Sequence, residues 1–438
     1  MITFVAKTTE KESFLVGNRR LGTIPIALSL SATWIWAPAL FVSAEQAYMN
    51  GLVGLLWFTV PNILCLLLFI PFAVRLRRKL PRGYTLSELM GQSYSNRVKN
   101  IYLFQLSGLA LLSTIVQLVA GGKIVALLTG FPFWLTTIIL GFFAFSYSVK
   151  SGIKGSVYTD GLQMILIIVA LLIFAPWTVN ISGFGAVTDG LSGIVSDSVN
   201  FFDSHGLYVF LSFGLPTAIG LIAGPFGDQN FWQRVLSVRQ SKLKKSIMLG
   251  AIFFAIVPLL MGILGFVSAG TGFTADDQSV INLEIVTALL PSWTVIIFMF
   301  MLLSGLLSTI DSNLLSISSL TNDVKKRATL KDFRMSMLIL IVISILLSNI
   351  PLSIIDFFLI YGILRATTFM TTVLTLLDVK LHEKGVFYGV LSSLGIGFPL
   401  FVYGKLTDNL ALTVIGSLTA LLLSGVVAYL ITKFQKRH

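Results

Sequence analysis

From Phe213 to Gln229 the chain reads F-G-L-P-T-A-I-G-L-I-A-G-P-F-G-D-Q. Gly214, Pro216, Gly220, Gly224, Pro225 and Gly227 make this the least helix-favouring of its long apolar runs. A second run, Ser29 to Tyr48, reads S-L-S-A-T-W-I-W-A-P-A-L-F-V-S-A-E-Q-A-Y. Ser29, Ser31, Thr33 and Pro38 interrupt it near mid-depth, and proline has no N–H and displaces the preceding turn. Unwound backbone at that depth is tolerated only where it is buried or lines a cavity, and its freed carbonyls can then bind a cation. The two runs are the first and sixth of twelve, the opening members of two five-helix sets. Gly and Pro also serve packing and kinks in membrane helices generally. Their matching placement in both sets predicts two inverted repeats, with non-helical backbone near Ala32–Pro38 and near Pro216–Gly227.

Composition sets the class. Of 438 residues, 55% are hydrophobic and 11% charged, with mean hydropathy +0.89. A soluble domain carries about 25% charged residues. The fold class is therefore an all-α polytopic membrane protein. With about 20 residues needed per crossing, the spans fall at about 24–49, 51–74, 100–128, 132–149, 156–177, 207–226, 244–269, 291–320, 335–350, 352–376, 385–403 and 409–432. The chain 1–438 reads as one transporter-like bundle. Repeat one covers about 24–177, repeat two about 207–376, and two extra helices about 385–432. The opening M-I-T-F-V-A is too short for a signal-peptide core.

The basic residues test the count. With the N-terminus cytoplasmic, 28 of the 31 Lys and Arg fall in cytoplasmic segments. Lys7, Arg75–Lys79, Arg234–Lys245, Lys325–Arg334, Lys436 and Arg437 are among them. Lys405 alone is external, and Lys123 and Arg365 lie inside spans. Both termini are thus expected on the cytoplasmic side, and the net charge of +12 needs no nucleic-acid partner. The segments 178–206 and 270–290 hold acids but no Lys or Arg and read as external. The second carries an amphipathic stretch, Asp276–Leu290, expected as a short surface helix.

The eighth run carries the polar chemistry. Leu302 to Asp323 reads L-L-S-G-L-L-S-T-I-D-S-N-L-L-S-I-S-S-L-T-N-D. Ser304, Ser308, Ser312 and Ser316 recur every fourth residue, among Thr309, Asp311 and Asn313. Such groups are costly in hydrocarbon and should face the bundle interior or a water-filled path. Oxygen ligands without sulfur or imidazole suit a hard cation. The single Cys65 permits no disulfide within the chain, and His205, His382 and His438 show no metal-site spacing.

Several segments resemble the sodium:solute symporter family of proline, sugar and urea permeases. E-S-F-L-V-G-N-R-R-L-G resembles that family's approach to its first core helix. S-G-I-K-G-S-V-Y-T-D-G-L-Q (Ser151–Gln163) resembles its G-G-x-x-A-x-x-W-T-D-x-x-Q pattern, and G-D-Q-N-F-W-Q-R (Gly227–Arg234) the end of its sixth helix. The Ser-rich eighth run is the most specific match. The resemblance implies a LeuT-like 5+5 inverted repeat with twelve transmembrane helices, and one more helix usual ahead of this start. It implies a sodium ion as the coupling cofactor. That ion would be held by the carbonyls of Ala32, Ile35 and Gly305 and the hydroxyls of Ser308 and Thr309. It also implies that Asp160, of the T-D motif, helps the ion leave. Trp34 stands where proline permeases carry an aspartate, which argues against proline. T-W-I-W-A-P-A-L and A-Y-M-N-G-L-V-G-L-L-W-F resemble the urea-permease branch.

Other residues admit two readings. Arg365 could grip an anionic substrate bidentately, or form an ion pair with Asp356 or a carboxylate on another helix. Asp311 could join Asp160 on an ion exit path, or bind nearby hydroxyls. Trp34, Trp36 and Phe41 could wall a substrate cavity or face lipid. Glu45 is the expected partner of Lys123, and Asp228 and Gln229 the expected cap of the sixth span. Together these predict a sodium-coupled symporter importing a small polar organic solute across the plasma membrane. Its partners are a small-molecule solute and the lipid bilayer. The alternatives are a proton-coupled carrier of the same fold and a solute sensor that does not transport. A membrane enzyme is disfavoured by the missing His/Cys/Asp constellation.

Overall fold

The computed structural model describes residues 10–325, 327–350 and 353–435. The opening 1–6, Lys7, Lys326, Lys436 and Arg437 of the sequence reading lie outside the described residues. The helices begin with α1 (Lys11–Val16), α2 (Thr23–Trp34), α3 (Ala37–Leu40), α4 (Val42–Lys79), α5 (Leu86–Ser93), α6 (Asn96–Thr129) and α7 (Phe133–Ser182). They continue with α8 (Phe184–Asp189), α9 (Ser204–Val209), α10 (Leu215–Gly227), α11 (Gln229–Ser237), α12 (Leu243–Gly270), α13 (Ile281–Leu289) and α14 (Ser292–Val324). The last are α15 (Leu330–Leu347), α16 (Ile354–Ala366), α17 (Phe369–Leu376), α18 (Glu383–Ser392), α19 (Phe398–Leu406) and α20 (Leu410–Gln435). Among the described residues, nine helical stretches are long and apolar enough to cross a bilayer, and ten if α16 and α17, bent by 42°, count as one. Two expected spans fall short for local reasons. The first is broken between α2 and α3, and α15 carries Lys331, Asp332 and Arg334 in its opening turns.

Two of the long helices contain a corner. Gly51 (φ 59°, ψ −144°) separates the outer part of the first span from the second within α4, and Gly152 (φ 61°, ψ −170°) separates the fourth from the fifth within α7. Both corners need a left-handed φ that glycine adopts without a Cβ clash.

The break after α2 has a definable cause. The N–H of Ala37, which a continuous helix would give to Thr33, donates instead to Gln117 Oε1 at 2.8 Å. Pro38 has no N–H to offer Trp34. Ile35 (ψ 75°) and Trp36 (ψ −178°) therefore leave the helical region before α3 resumes it. In the sixth span the interruption sits elsewhere than expected. Residues 216–227 stay helical, and the chain breaks at Asp228 (φ −107°, ψ 114°). Pro216 follows a wider turn at Phe210–Gly214, and that local widening accommodates its missing N–H within a helix that runs on to Gly227. Trp232 Nε1 donates to Phe226 O at 2.8 Å and satisfies a carbonyl freed at the helix end.

Around these breaks, α14 packs on α6 and α7, α12 on α2 and α4, and α10 on α16. The sole bridge outside helices, among the described residues, joins Leu21 to Val238 and ties the approach to α2 to the end of α11. The Asp276–Leu290 stretch folds as α13 with Ile281, Leu283, Ile285 and Val286 buried, so it docks on the bundle rather than lying free. α18, α19 and α20 pack mainly on one another.

Candidate functional site

The end of α2 faces the middle of α14. A Cβ placed on Gly305 would lie 3.7 Å from Ile35 O, which puts the first break against the Ser-rich helix. Thr33 Oγ1 and Ser312 Oγ are 3.3 Å apart across the same seam. Ala32 and Ile35 are fully buried, and Ser308 and Thr309 are nearly so. Beyond the helix ladder, the carbonyls of Ala32 and Ile35 accept no backbone hydrogen bond among the described residues. The hydroxyl proton of Thr309 is directed to Gly305 O at 3.3 Å, and that of Ser308 to Asp160 Oδ1 at 2.5 Å. The oxygen lone pairs of both hydroxyls remain available. This neutral oxygen set fits a hard monovalent cation. No cluster of three His, Cys, Asp or Glu suited to a harder divalent site occurs among the described residues.

Asp160 is the hub of a second network. Its Oδ2 accepts from Ser29 Oγ at 2.6 Å and from Arg234 Nη2 at 2.8 Å. Arg234 also donates through Nε to Ser29 Oγ (2.8 Å), through Nη2 to Ser312 Oγ (2.6 Å) and through Nη1 to Asn230 O (3.2 Å). Both charged side chains are fully buried. The sequence reading counted Arg234 with a basic loop. The Q-R that ends G-D-Q-N-F-W-Q-R was the available signal, since a break at Asp228 turns the next helix back into the bundle. Asp311 stays outside this network, with both carboxylate oxygens buried and unpaired. Ser148 and Ser156 of α7 are its nearest polar neighbours, but Ser148 donates to Ala144 O instead.

A third group lies where α2 breaks, α10 ends and α16 passes. Arg365 Nη2 donates to Asp228 Oδ2 at 2.5 Å, and Tyr361 OH lies 2.9 Å from each Asp228 oxygen. The guanidinium carbon is 3.8 Å from the centre of the Tyr361 ring, 5.2 Å from Trp34 and 5.3 Å from Trp36. Arg365 thus pairs with Asp228, not with Asp356, which lies 3.9 Å from Lys405. Asp228 and Gln229 do not cap the sixth span. Asp228 reaches sideways to Arg365, and Gln229 donates to Tyr84 O (2.9 Å) and Ser319 Oγ (3.1 Å). Trp34, Trp36 and Phe41 are buried, so none of them faces lipid.

Both ends of this central region are covered. On the side of the basic clusters, Asp323 holds Thr85 and Ser87, and Lys99 Nζ donates to Asp323 O at 2.7 Å. On the other side Lys123 pairs with Asp277 (2.8 Å) and Ser279 (2.9 Å), not with Glu45. Asn282 Nδ2 donates there to Leu40 O at 2.7 Å.

This all-helical bundle, with a buried polar centre beside two interrupted helices, has the LeuT-like fold. A solved Na+-coupled sialic acid symporter, substrate-bound and outward-open, superposes with a TM-score of 0.75 at 13% identity, covering 96% of this chain and 92% of that one. MhsT in complex with L-phenylalanine superposes with a TM-score of 0.61 at 13% identity, covering 94% and 98%. The model of the sodium:solute symporter family matches residues 14–393, and the chain belongs to that family. The relatives it matches are named as transporters. Its relatives include a probable urea active transporter 3 of Schizosaccharomyces pombe, 22% identical over 59% of this chain and 40% of that protein. The urea-proton symporter DUR3 of rice (Oryza sativa subsp. japonica) is 22% identical over 99% of this chain and 68% of its own length. The sodium/pantothenate symporter of Haemophilus influenzae is 25% identical over 70% and 64%. The chain spans about two fifths of the length of the yeast relative.

Proposed function

We propose that this protein imports a small polar organic solute across the plasma membrane together with sodium, by alternating access. The observation that supports this reading is the apposition of Ile35 O with Gly305, which sets one carbonyl of the first break beside the helix that carries Ser308 and Thr309 about one turn on. Ala32, Ile35, Gly305, Ser308 and Thr309 form the sodium site. The relatives that act on sodium with pantothenate, or on urea, support a small polar cargo. The segregation of basic residues supports cytoplasmic termini.

The chemistry of coupling follows from geometry. Ligands on α2 and α14 belong to opposite repeats, so an ion bridging them holds the two halves in one relation. Trp34 and Trp36, two and four positions after Ala32, border Arg365, so the same strand of broken backbone serves both sites. Coupling requires that sodium bind the solute-loaded form more tightly than the empty one, and the solute then raises sodium affinity by the same factor. Asp160, held between Ser308 and Arg234, lies on the path by which the ion leaves toward the basic face, with Asp311 beside it.

A second reading, proton coupling, draws on one observation: Asp311 is a buried carboxylate with neither oxygen paired. A relative named a urea-proton symporter gives it weight. Uptake into proteoliposomes, driven in turn by a sodium gradient and by a pH gradient, separates the two. Sodium-driven uptake that Thr309→Ala weakens supports the first. Uptake at zero sodium that follows the pH gradient and is abolished by Asp311→Asn supports the second.

A further inference from the structure

The Arg365 side chain is unusual among buried cations. It is 2% exposed, yet only Nη2 has a hydrogen-bond partner, and Nε and Nη1 have none. A guanidinium offers five N–H donors in a fixed fork. A purely structural buried arginine normally satisfies them, because a buried unpaired donor is expensive. Two buried acceptors on residues that touch its neighbours also lack partners. Gln105 Nε2 donates to Leu364 O, the residue before Arg365, and Gln105 Oε1 has no partner. Trp34, whose ring borders Arg365, donates to the main chain of Asn62, and Asn62 Oδ1 has no partner. All of these residues are buried. Asp228 cancels the charge of Arg365, and Tyr361 holds both oxygens of Asp228.

We propose that Arg365 and Asp228 form a charge-neutral frame that selects an uncharged solute carrying a carbonyl oxygen flanked by N–H, and that Asp228 is the residue that excludes carboxylates. This rests on the reading of the chain as a solute symporter with its cargo site beside the broken helices. The free edge of Arg365 donates to the carbonyl oxygen. The solute N–H groups donate to Asn62 Oδ1 and Gln105 Oε1, and Trp34 and Trp36 cover its faces. An anion gains no net attraction from an arginine already neutralised and is repelled by Asp228, while an isosteric cation sets its own N–H donors against the unpaired donors of Arg365. The unpaired fork thus reads shape and hydrogen bonding, not net charge.

The test uses the full chain in detergent and tryptophan fluorescence as a binding signal, in sodium chloride and in choline chloride. The probes are acetamide and urea, with acetate as the isosteric anion and guanidinium as the isosteric cation. The wild-type chain should bind both neutral probes saturably, and acetate and guanidinium at least about tenfold more weakly, the scale of one charge-assisted hydrogen bond. Arg365→Gln should lower affinity for the neutral probes by about tenfold or more. Asp228→Asn should raise affinity for acetate, a gain that a merely structural ion pair would not give. Equal binding of acetamide and acetate by the wild-type chain overturns the proposal, and so does the absence of any saturable response to the neutral probes. The wild-type comparison stands even where a variant fails to fold. Neutral binding that ignores sodium would leave this proposal intact and count against sodium coupling. Sodium-dependent thermal stabilisation, lost in Thr309→Ala, with no amide binding would do the reverse.

Discussion

Among the described residues the bundle holds two buried arginine–carboxylate pairs, and they are finished differently. In Asp160–Arg234 both carboxylate oxygens are bonded, and Nε, Nη1 and Nη2 of the arginine all have partners on α2, α11 or α14. In Asp228–Arg365 the carboxylate is held as firmly, but two of the three guanidinium nitrogens face no partner and three aromatic rings surround the cation. A closed network leaves its arginine no free donor for a cargo and fixes helices to one another. An open one is waiting for hydrogen bonds that the protein does not supply. On the proposed reading the first pair serves architecture and ion passage and the second serves the cargo.

The largest expected effect tests the closed pair. Arg234→Met strands the Asp160 carboxylate in a dry interior, and breaking a buried pair this way costs about 3–5 kcal/mol. Thermal denaturation of the purified chain should show a large loss, partly restored by adding Asp160→Asn. A variant as stable as the parent would mean that the network is not the clamp its geometry describes. Arg365→Gln is the matching change at the open pair. It should destabilise less, because Tyr361 still donates to both Asp228 oxygens. Uptake should nonetheless fall by more than at any other position in this group. Equal stability losses at Arg234 and Arg365, measured side by side, would erase the distinction between them.

Thr309→Ala comes next. It removes one neutral ligand and one hydrogen bond to Gly305, a loss of about 1 kcal/mol in stability. The sodium concentration for half-maximal uptake should rise by about tenfold, the worth of one lost ion–oxygen contact. A change in expression without a change in sodium dependence would count against the site. The smallest effect belongs to Lys123→Met. The Lys123–Asp277 pair is partly solvated, with side chains 30% and 45% exposed, so its loss should cost about 0–1 kcal/mol and leave sodium dependence unchanged.

What the sequence disclosed and what it hid follow from the same physics. Pro38 and the flanking hydroxyls marked the first break, because a missing N–H is a local property. The second break was displaced to Asp228, because the wider turn at Phe210–Gly214 accommodates Pro216 and lets the helix run on through the glycines of α10. Ser308, Thr309 and Asp160 were legible as a polar stripe and a motif. Arg234 was not, because a charge six residues past a break looks like a loop residue until the backbone turns it inward. The partner of Arg365 was also hidden. Asp356 is near in sequence, but Asp228 arrives from another helix at the break, and only the fold brings the two together. Lys123 shows the same limit, for its partner Asp277 stands 154 positions away.

The central claim is that a neutral oxygen cage between α2 and α14 couples transport to sodium. The most direct measurement is uptake into proteoliposomes of a neutral amide-type solute such as urea, under a sodium gradient at equal pH and under a pH gradient at zero sodium, for the parent chain and Asp311→Asn. The account predicts uptake with the sodium gradient alone, slowed but not abolished by Asp311→Asn. Uptake that follows the pH gradient without sodium, and disappears in Asp311→Asn, would contradict it.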